Sequence, residues 1–148
     1  MFGAMILRKS LPLCLFSILI RLFFDYGGTN CCLVVQYING QLLAIKEIIS
    51  ATQGLREFLN SKVRMWLDEY AKGYVVERSR GDPADNFSHE NAMYSHDIVR
   101  EVLQIDTSSA YTNAIKARLD AVDQLLLKRI VGYGCGVKIS KQGCPVLH

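Results

Sequence analysis

The segment Asp106–Val131, DTSSAYTNAIKARLDAVDQLLLKRIV, has the clearest secondary-structure pattern in the chain and decides the fold class that the sequence predicts. Its apolar residues recur every three or four positions, which keeps them on one face of an α-helix. They are Tyr111, Ile115, Leu119, Val122, Leu126 and Ile130. Asp106 and Thr107 are suitable N-cap residues, and Gly132 is a suitable stop. The pattern predicts a helix over 107–131 that lies either on a core or as a seam against a partner helix.

Two further segments have helical periodicity. Apolar residues recur at spacings of three and four from 42 to 72, and Gly73 follows as a plausible C-cap. A shorter helix is predicted over 89–105, with Ser88 as its N-cap. With the helix over 107–131, these segments predict a mainly α fold of about three amphipathic helices after an apolar N-terminal segment.

One segment leaves an alternative open. Asn39-Gly40 separates the apolar runs CLVVQYI and QLLAI, and this dipeptide suits the type I′ turn of a two-residue hairpin. The sequence therefore allows a short β-hairpin near residues 32–46. The competing interpretation is that Gly40 precedes the helix over 42–72. Both cannot hold, because residues 41–45 would belong to both.

The N-terminal 24 residues are basic and then apolar. Arg8 and Lys9 precede the apolar stretch 11–24, and no acidic residue occurs before Asp25. This pattern suits a membrane anchor, a cleaved signal peptide, a mitochondrial transit segment or a buried core helix. The first three interpretations place the protein at or across a membrane, and residues 11–24 would be its membrane contact.

The domain division follows these patterns. Residues 1–24 form the N-terminal anchor, signal or transit segment, and residues 25–131 form a helical domain. Within that domain, residues 75–88 are predicted as a linker, because they hold Gly81, Pro83 and several charges. Residues 132–148 form a Gly-rich tail. The linker also contains Arg80-Gly81-Asp82, an integrin-type tripeptide, and Asn86-Phe87-Ser88, a glycosylation sequon.

Composition limits the class of protein. The chain has 148 residues, of which 50% are hydrophobic and 21% charged, a globular balance. The net charge of +3 is too small to indicate a nucleic-acid partner. Five cysteines without a CxxC motif do not predict a zinc site. Cys135 and Cys144 flank a Gly-rich loop and could form a disulfide in an oxidising compartment.

Catalytic motifs are absent from the sequence. It contains no GxGxxG, GxxxxGK[ST], HExxH or GxSxG motif. His89, Met93 and His96 have a spacing that could hold a metal, but no third strong ligand accompanies them. We therefore predict no catalytic, cofactor-binding or metal-binding residues, no cofactor, and a protein that is not an enzyme.

The segment 113–125, NAIKARLDAVDQL, resembles part of the long helix of fungal mitochondrial ATP synthase peripheral-stalk subunit b. The matching residues are Ala114, Ile115, Lys116, Arg118, Leu119, Val122 and Leu125. A shorter similarity lies at 44–48, AIKEI. Lys46 and Glu47 stand where that family has a second membrane span, and Gly81 interrupts its continuous helix. The resemblance implies a truncated or divergent stator subunit without catalytic residues.

The predicted function is that of a non-enzymatic, membrane-associated helical scaffold or assembly subunit, stator-like, of a mitochondrial inner-membrane complex. It would bind a protein partner by helix packing through the six-residue seam, and it would bind no nucleic acid. The alternative is a small secreted glycoprotein or ligand with a cleaved signal peptide, which would use the sequon, the Arg-Gly-Asp tripeptide and the disulfide.

Overall fold

The computed structural model describes residues 19–83 and 93–147, and its first three elements are strands. They are β1 (Leu19–Asp25), β2 (Asn30–Ile38) and β3 (Gln41–Ser50). Each pairs antiparallel with the next. In β1 buried and more exposed side chains alternate, which is the period-two pattern of a strand with one covered face. The end of the predicted membrane segment is therefore a sheet strand.

The turn between β2 and β3 is the Asn-Gly turn that the sequence allows. Asn39 and Gly40 have φ values of +52° and +80°, as a type I′ turn requires. The hairpin is present and extends beyond 32–46, so the competing helix from residue 42 is wrong. A spacing of four is even, so apolar residues four apart share one face of a regular strand as well as one face of a helix. Pairing with β2 selects the strand.

The helical layer follows the hairpin. Helix α1 runs through Leu55–Phe58, a π-helical stretch Leu59–Arg64, and Met65–Tyr70. Strand β4 (Val75–Gly81) then pairs parallel to β1, and helix α2 covers Ser95–Leu103. Part of the segment predicted as a linker is thus the internal strand β4, which lies between β1 and the short strand Thr107–Ser109 in the sheet.

The remaining elements complete the sheet. They are β5 (Thr107–Ser109), α3 (Ile115–Leu127), β6 (Arg129–Ile130), β7 (Gly134–Cys135) and β8 (Val137–Ile139). The six-stranded sheet has the order β5-β4-β1-β2-β3-β8, and β6 and β7 form a separate small hairpin. Strands β1, β4 and β5 are parallel to one another, so their carboxyl ends lie at one edge.

The main core lies between one face of the sheet and helices α1 and α2. Its fully buried side chains include Leu22, Cys32 and Val34 from the sheet, Phe58, Leu59 and Val63 from α1, and Val99 from α2. On the other face the C-terminal segment covers β2 and β3, where Cys144 packs on Val35 and Ala44, whereas Leu19 and Phe23 of β1 are exposed. This asymmetry leaves one sheet face accessible beside the carboxyl ends of the parallel strands.

These elements correct the predicted mainly α fold class, which is wrong: the fold is mixed α/β. The helix predicted over 107–131 is shortened, because residues 107–109 pair with β4 as a strand. Of the helix predicted over 89–105, α2 occupies 95–103, and residues 84–92 lie outside the described residues. The division at residues 24 and 131 stays a prediction.

No helix within residues 19–83 and 93–147 is long and apolar enough to cross a membrane. Most of the predicted anchor, residues 11–18, lies outside the described residues, and its final residues belong to β1.

Candidate active site at the carboxyl ends of β1 and β4

Two aspartates lie side by side where neighbouring parallel strands end. Asp25 is the last residue of β1, and Asp82 directly follows β4. In the register of these strands Phe24 is opposite Gly81. The backbone N–H of Asp82 donates a hydrogen bond to the Phe24 carbonyl oxygen at 3.0 Å. Ligands of open α/β sheets bind outside the carboxyl ends of the strands, so this edge is the candidate site.

The Asp25 carboxylate is held by the loop that follows it. Its Oδ1 atom accepts a hydrogen bond from the backbone N–H of Gly27 at 3.1 Å. Aspartate commonly bonds the backbone two residues on in this way. The side chain is exposed and belongs to the open face by the alternation of β1. The end of β1 and the loop after it therefore present an oriented carboxylate.

The Asp82 side of the site depends on Gly81. Tyr26 is buried and stacks on Phe24, with their ring centroids 6.0 Å apart. Its ring occupies the space beside Gly81, where an added Cβ would lie 2.3 Å from the ring. Only glycine allows this close approach, which brings the end of β4 against the loop after β1. The Arg-Gly-Asp tripeptide is thus a strand end packed on an aromatic ring.

Cys31 and Glu47 also lie on the open face near Asp25. Cys31 is opposite Asp25 in the β1–β2 register. Burial, and then the charges of Asp25 and Glu47, raise the pKa of its thiol, which disfavours the thiolate form that a cysteine nucleophile requires. Glu47 is buried, and its carboxylate accepts hydrogen bonds from the backbone N–H groups of Val146 and Leu147. Glu47 therefore anchors the C-terminal segment.

Three arginines lie on β1 and β4, in the strands that end at the two aspartates. Arg21 and Arg78 are register partners of β1 and β4, and Arg80 is opposite Phe23. Side chains of register partners project from the same face of a sheet, so all three belong to the open face. Arg21 Nε donates to Glu77 at 2.8 Å. Arg80 donates to the Ser109 carbonyl at 3.2 Å, and its guanidinium lies 5.1 Å from the Tyr111 ring centroid.

This arrangement can bind a hard divalent cation beside a polyanion. Within the described residues no group of three or more His, Cys, Asp or Glu side chains is placed to hold a metal. Mg²⁺ and Mn²⁺ prefer carboxylate oxygens, and Mg²⁺ typically uses one or two carboxylates, water and substrate phosphate oxygens. Asp25 and Asp82 fit that need. The sequence analysis did not identify them, because only strand pairing brings residues so distant in sequence together.

The residues that the sequence singles out lie elsewhere. Ile115, Leu119, Val122 and Leu126 share helix α3, whereas Tyr111 precedes the helix and Ile130 packs on Gly40 from β6. Their use as a partner seam stays a prediction. His96 Nε2 lies 3.6 Å from Asp97, and His89 lies outside the described residues.

The predicted disulfide and the glycosylation sequon belong to the secreted alternative. Cys135 and Cys144, both within the described ranges, are free thiols. Asn86 and the rest of the sequon lie outside the described residues. The structure therefore gives the secreted alternative no better support than the scaffold prediction.

No family model matches the chain, and no curated protein sequence matches it. Solved structures do match its fold. The nuclease domain of the g2p large terminase from bacteriophage SPP1, with bound Mn, matches with a TM-score of 0.51 at 16% identity. The match covers 85% of this chain and 63% of that one. Two crystal forms of the large terminase from a thermophilic bacteriophage match at 12% identity, with TM-scores of 0.53 and 0.52.

The two matches to the thermophilic phage terminase cover 78% and 77% of this chain but 28% and 27% of those chains. The chain thus spans less than two thirds of the length of each of these structures. Because the identities are low, the matches show a shared fold.

That shared fold overturns the functional predictions. The resemblance to peripheral-stalk subunit b is wrong, because the structural neighbours are terminase nuclease domains and this chain is built on a six-stranded sheet. The predictions of a non-enzymatic helical scaffold, of a mitochondrial inner-membrane location and of a partner set without nucleic acid are contradicted as well. Their common cause is the wrong fold class, because an apolar helical stripe predicts a helical domain whereas the chain is built on a sheet. Its structural neighbours are nuclease domains of phage large terminases.

Proposed function

We propose that this protein is a divalent-metal-dependent nuclease that cleaves phosphodiester bonds of nucleic acid at the carboxyl ends of β1 and β4. The observation that carries the proposal is the juxtaposition of Asp25 and Asp82 by the Phe24–Gly81 register of two parallel strands. The fold shared with a terminase nuclease domain with bound Mn supports the same assignment.

Asp25 and Asp82 would hold the cation. Such a cation supplies Lewis-acid polarisation of a phosphoryl oxygen and neutralises developing charge. The protein contributes the position of the two carboxylates. Gly27 orients the Asp25 carboxylate, and the hydrogen bond from Asp82 to Phe24 ties the second aspartate to the first strand. Both aspartates are thereby placed before substrate binds, which lowers the cost of assembling the site.

The arginines on the open face favour a nucleic-acid substrate. Arg78 is exposed on β4, two residues from Arg80 on the same face. Guanidinium groups bind phosphate oxygens through paired N–H donors. A nucleic-acid backbone lying across β1 and β4 would meet these cations and place a phosphodiester near the aspartates.

The experiment measures Mn²⁺ binding and cleavage with the full chain. Calorimetry with Mn²⁺ should detect a site that weakens in Asp25→Asn and in Asp82→Asn. Nicking of supercoiled plasmid with Mn²⁺ should fall by more than roughly 100-fold in both variants, since even outer-shell partners of a metal are worth about 10–100-fold.

Asp106→Asn is the matched control, because it makes the same chemical change at a distant position. Asp106 is 99% exposed and precedes the amino end of β5, at the opposite edge of the sheet. It should leave Mn²⁺ affinity and nicking unchanged. Equal Mn²⁺ affinity in the parent, in Asp25→Asn and in Asp82→Asn would overturn the proposal. Plasmid nicking that survives both substitutions would overturn it as well.

A further inference from the structure

We propose that α3 is a dimerisation helix, which packs antiparallel against α3 of a second copy of this chain. This surface does not include the two aspartates, and dimer formation does not depend on nuclease activity. It assigns an occupant to the seam that the apolar stripe of 107–131 predicts.

The first observation is the exposure of an apolar helix face. None of the 13 residues of α3, all of them described, is buried. Ile115, Leu119, Val122 and Leu126 are 73%, 59%, 52% and 50% exposed. Contiguous exposed apolar surface of this kind marks an interaction site in a folded protein. A helix that used this face for its own core would have lost most of that exposure.

The second observation is the heptad pattern of these four residues. Their spacing of four, three and four places leucine at both a positions (Leu119 and Leu126) and β-branched residues at both d positions (Ile115 and Val122). Parallel two-stranded coiled coils favour the reverse arrangement, with β-branched residues at a and leucine at d. An antiparallel pair instead places a against d. Each layer then combines one leucine with one β-branched residue, as in Leu119 against the partner's Val122.

The third observation is charge complementarity in that same register. When Leu119 lies against the partner's Val122, Ile115 lies against the partner's Leu126. The flanking e positions then bring Lys116 beside the partner's Asp123, and the two-fold axis repeats the pair. The antiparallel arrangement also opposes the two helix dipoles. A second copy therefore complements both the apolar face and its charged flank.

The test is the dimer dissociation constant, measured by sedimentation equilibrium on the full chain. The parent should form a dimer, and Leu119→Asp should weaken it by more than roughly 100-fold, because a buried unpaired carboxylate is costly. Since Leu119 lies outside the core, the variant should keep the circular dichroism spectrum and Tm of the monomer. A parent protein that stays monomeric at the highest soluble concentration would overturn the proposal.

Charge exchange tests the register. Lys116→Glu and Asp123→Lys should each weaken the dimer about tenfold, since each change removes two attractions and creates two repulsions. The double variant should recover the parent dissociation constant, and Lys141→Glu, a charge reversal outside α3, should change nothing. A parallel pair would instead place Arg118 beside the partner's Asp123. Recovery by Arg118→Glu with Asp123→Lys, and not by the Lys116 pair, would refute the antiparallel arrangement.

Discussion

Strand β1 and helix α3 both combine apolar and charged residues, yet the fold uses them in opposite ways. β1 is central, with β2 and β4 paired on its two sides and helices covering one face. α3 connects β5, at one edge of the sheet, to the segment that reaches β8 at the other, and no residue of it is buried. An apolar face on a helix or strand can therefore be buried, but it is buried only where other elements of the fold pack against it.

The most direct way to test this comparison is to truncate one leucine in each region. Leu22 of β1 is fully buried, so Leu22→Ala should lower the free energy of unfolding by about 2–5 kcal/mol. Leu119→Ala removes the same atoms from an exposed face and should change monomer stability by no more than about 0.5 kcal/mol. Urea denaturation at a protein concentration that keeps the chain monomeric measures both. Equal losses at the two positions would contradict the assigned burial.

The next test concerns the close approach that places Asp82. Gly81→Ala should destabilise the protein by about 1–3 kcal/mol, because the new methyl group overlaps the buried Tyr26 ring. Gly28→Ala is the control, since nothing lies within 4 Å of its added Cβ. A double-mutant cycle with Tyr26→Leu should show coupling between positions 26 and 81. Additive effects would mean that the ring does not restrict Gly81.

The smallest expected effect is that of the ion pair between α1 and α2. The Arg56 guanidinium hydrogen-bonds both carboxylate oxygens of Glu101 at 2.7 and 2.9 Å and holds the pKa of Glu101 below its usual range. A lowered pKa in the folded state gives stability above the unfolded-state pKa, which is lost as the pH falls through the folded-state value. Because the pair is exposed, the effect is small.

Glu101→Gln should therefore lower Tm slightly at neutral pH and leave it unchanged at a pH below the lowered folded-state pKa of Glu101. Asp120→Asn on the exposed α3 serves as the control for removing one carboxylate from a helix. A Tm deficit of Glu101→Gln that persists in acid would show that the side chain acts by packing rather than by its charge.

Parts of this fold could be predicted from local sequence. The Asn39-Gly40 turn follows from the positive φ that both positions require, and the helix at 115–127 follows from its apolar spacing. The strands are harder to predict. Spacings of four suit helix and strand alike, so the sequence of β3 is also compatible with a helix. β4 carries charges at Glu77, Arg78 and Arg80, which favour the linker interpretation, yet its pairing with β1 and β5 makes it a strand.

The sequence by itself determined the local elements whose cause is local: a helix with one apolar face and, as one of two alternatives, a type I′ turn at Asn39-Gly40. Only the tertiary structure decided which apolar face was buried and which residues formed a site. Asp25 and Asp82 become neighbours through the parallel register of β1 and β4, and that register depends on pairing between segments distant in sequence. Periodicity describes the surface of one element, whereas burial and chemistry depend on what lies against it.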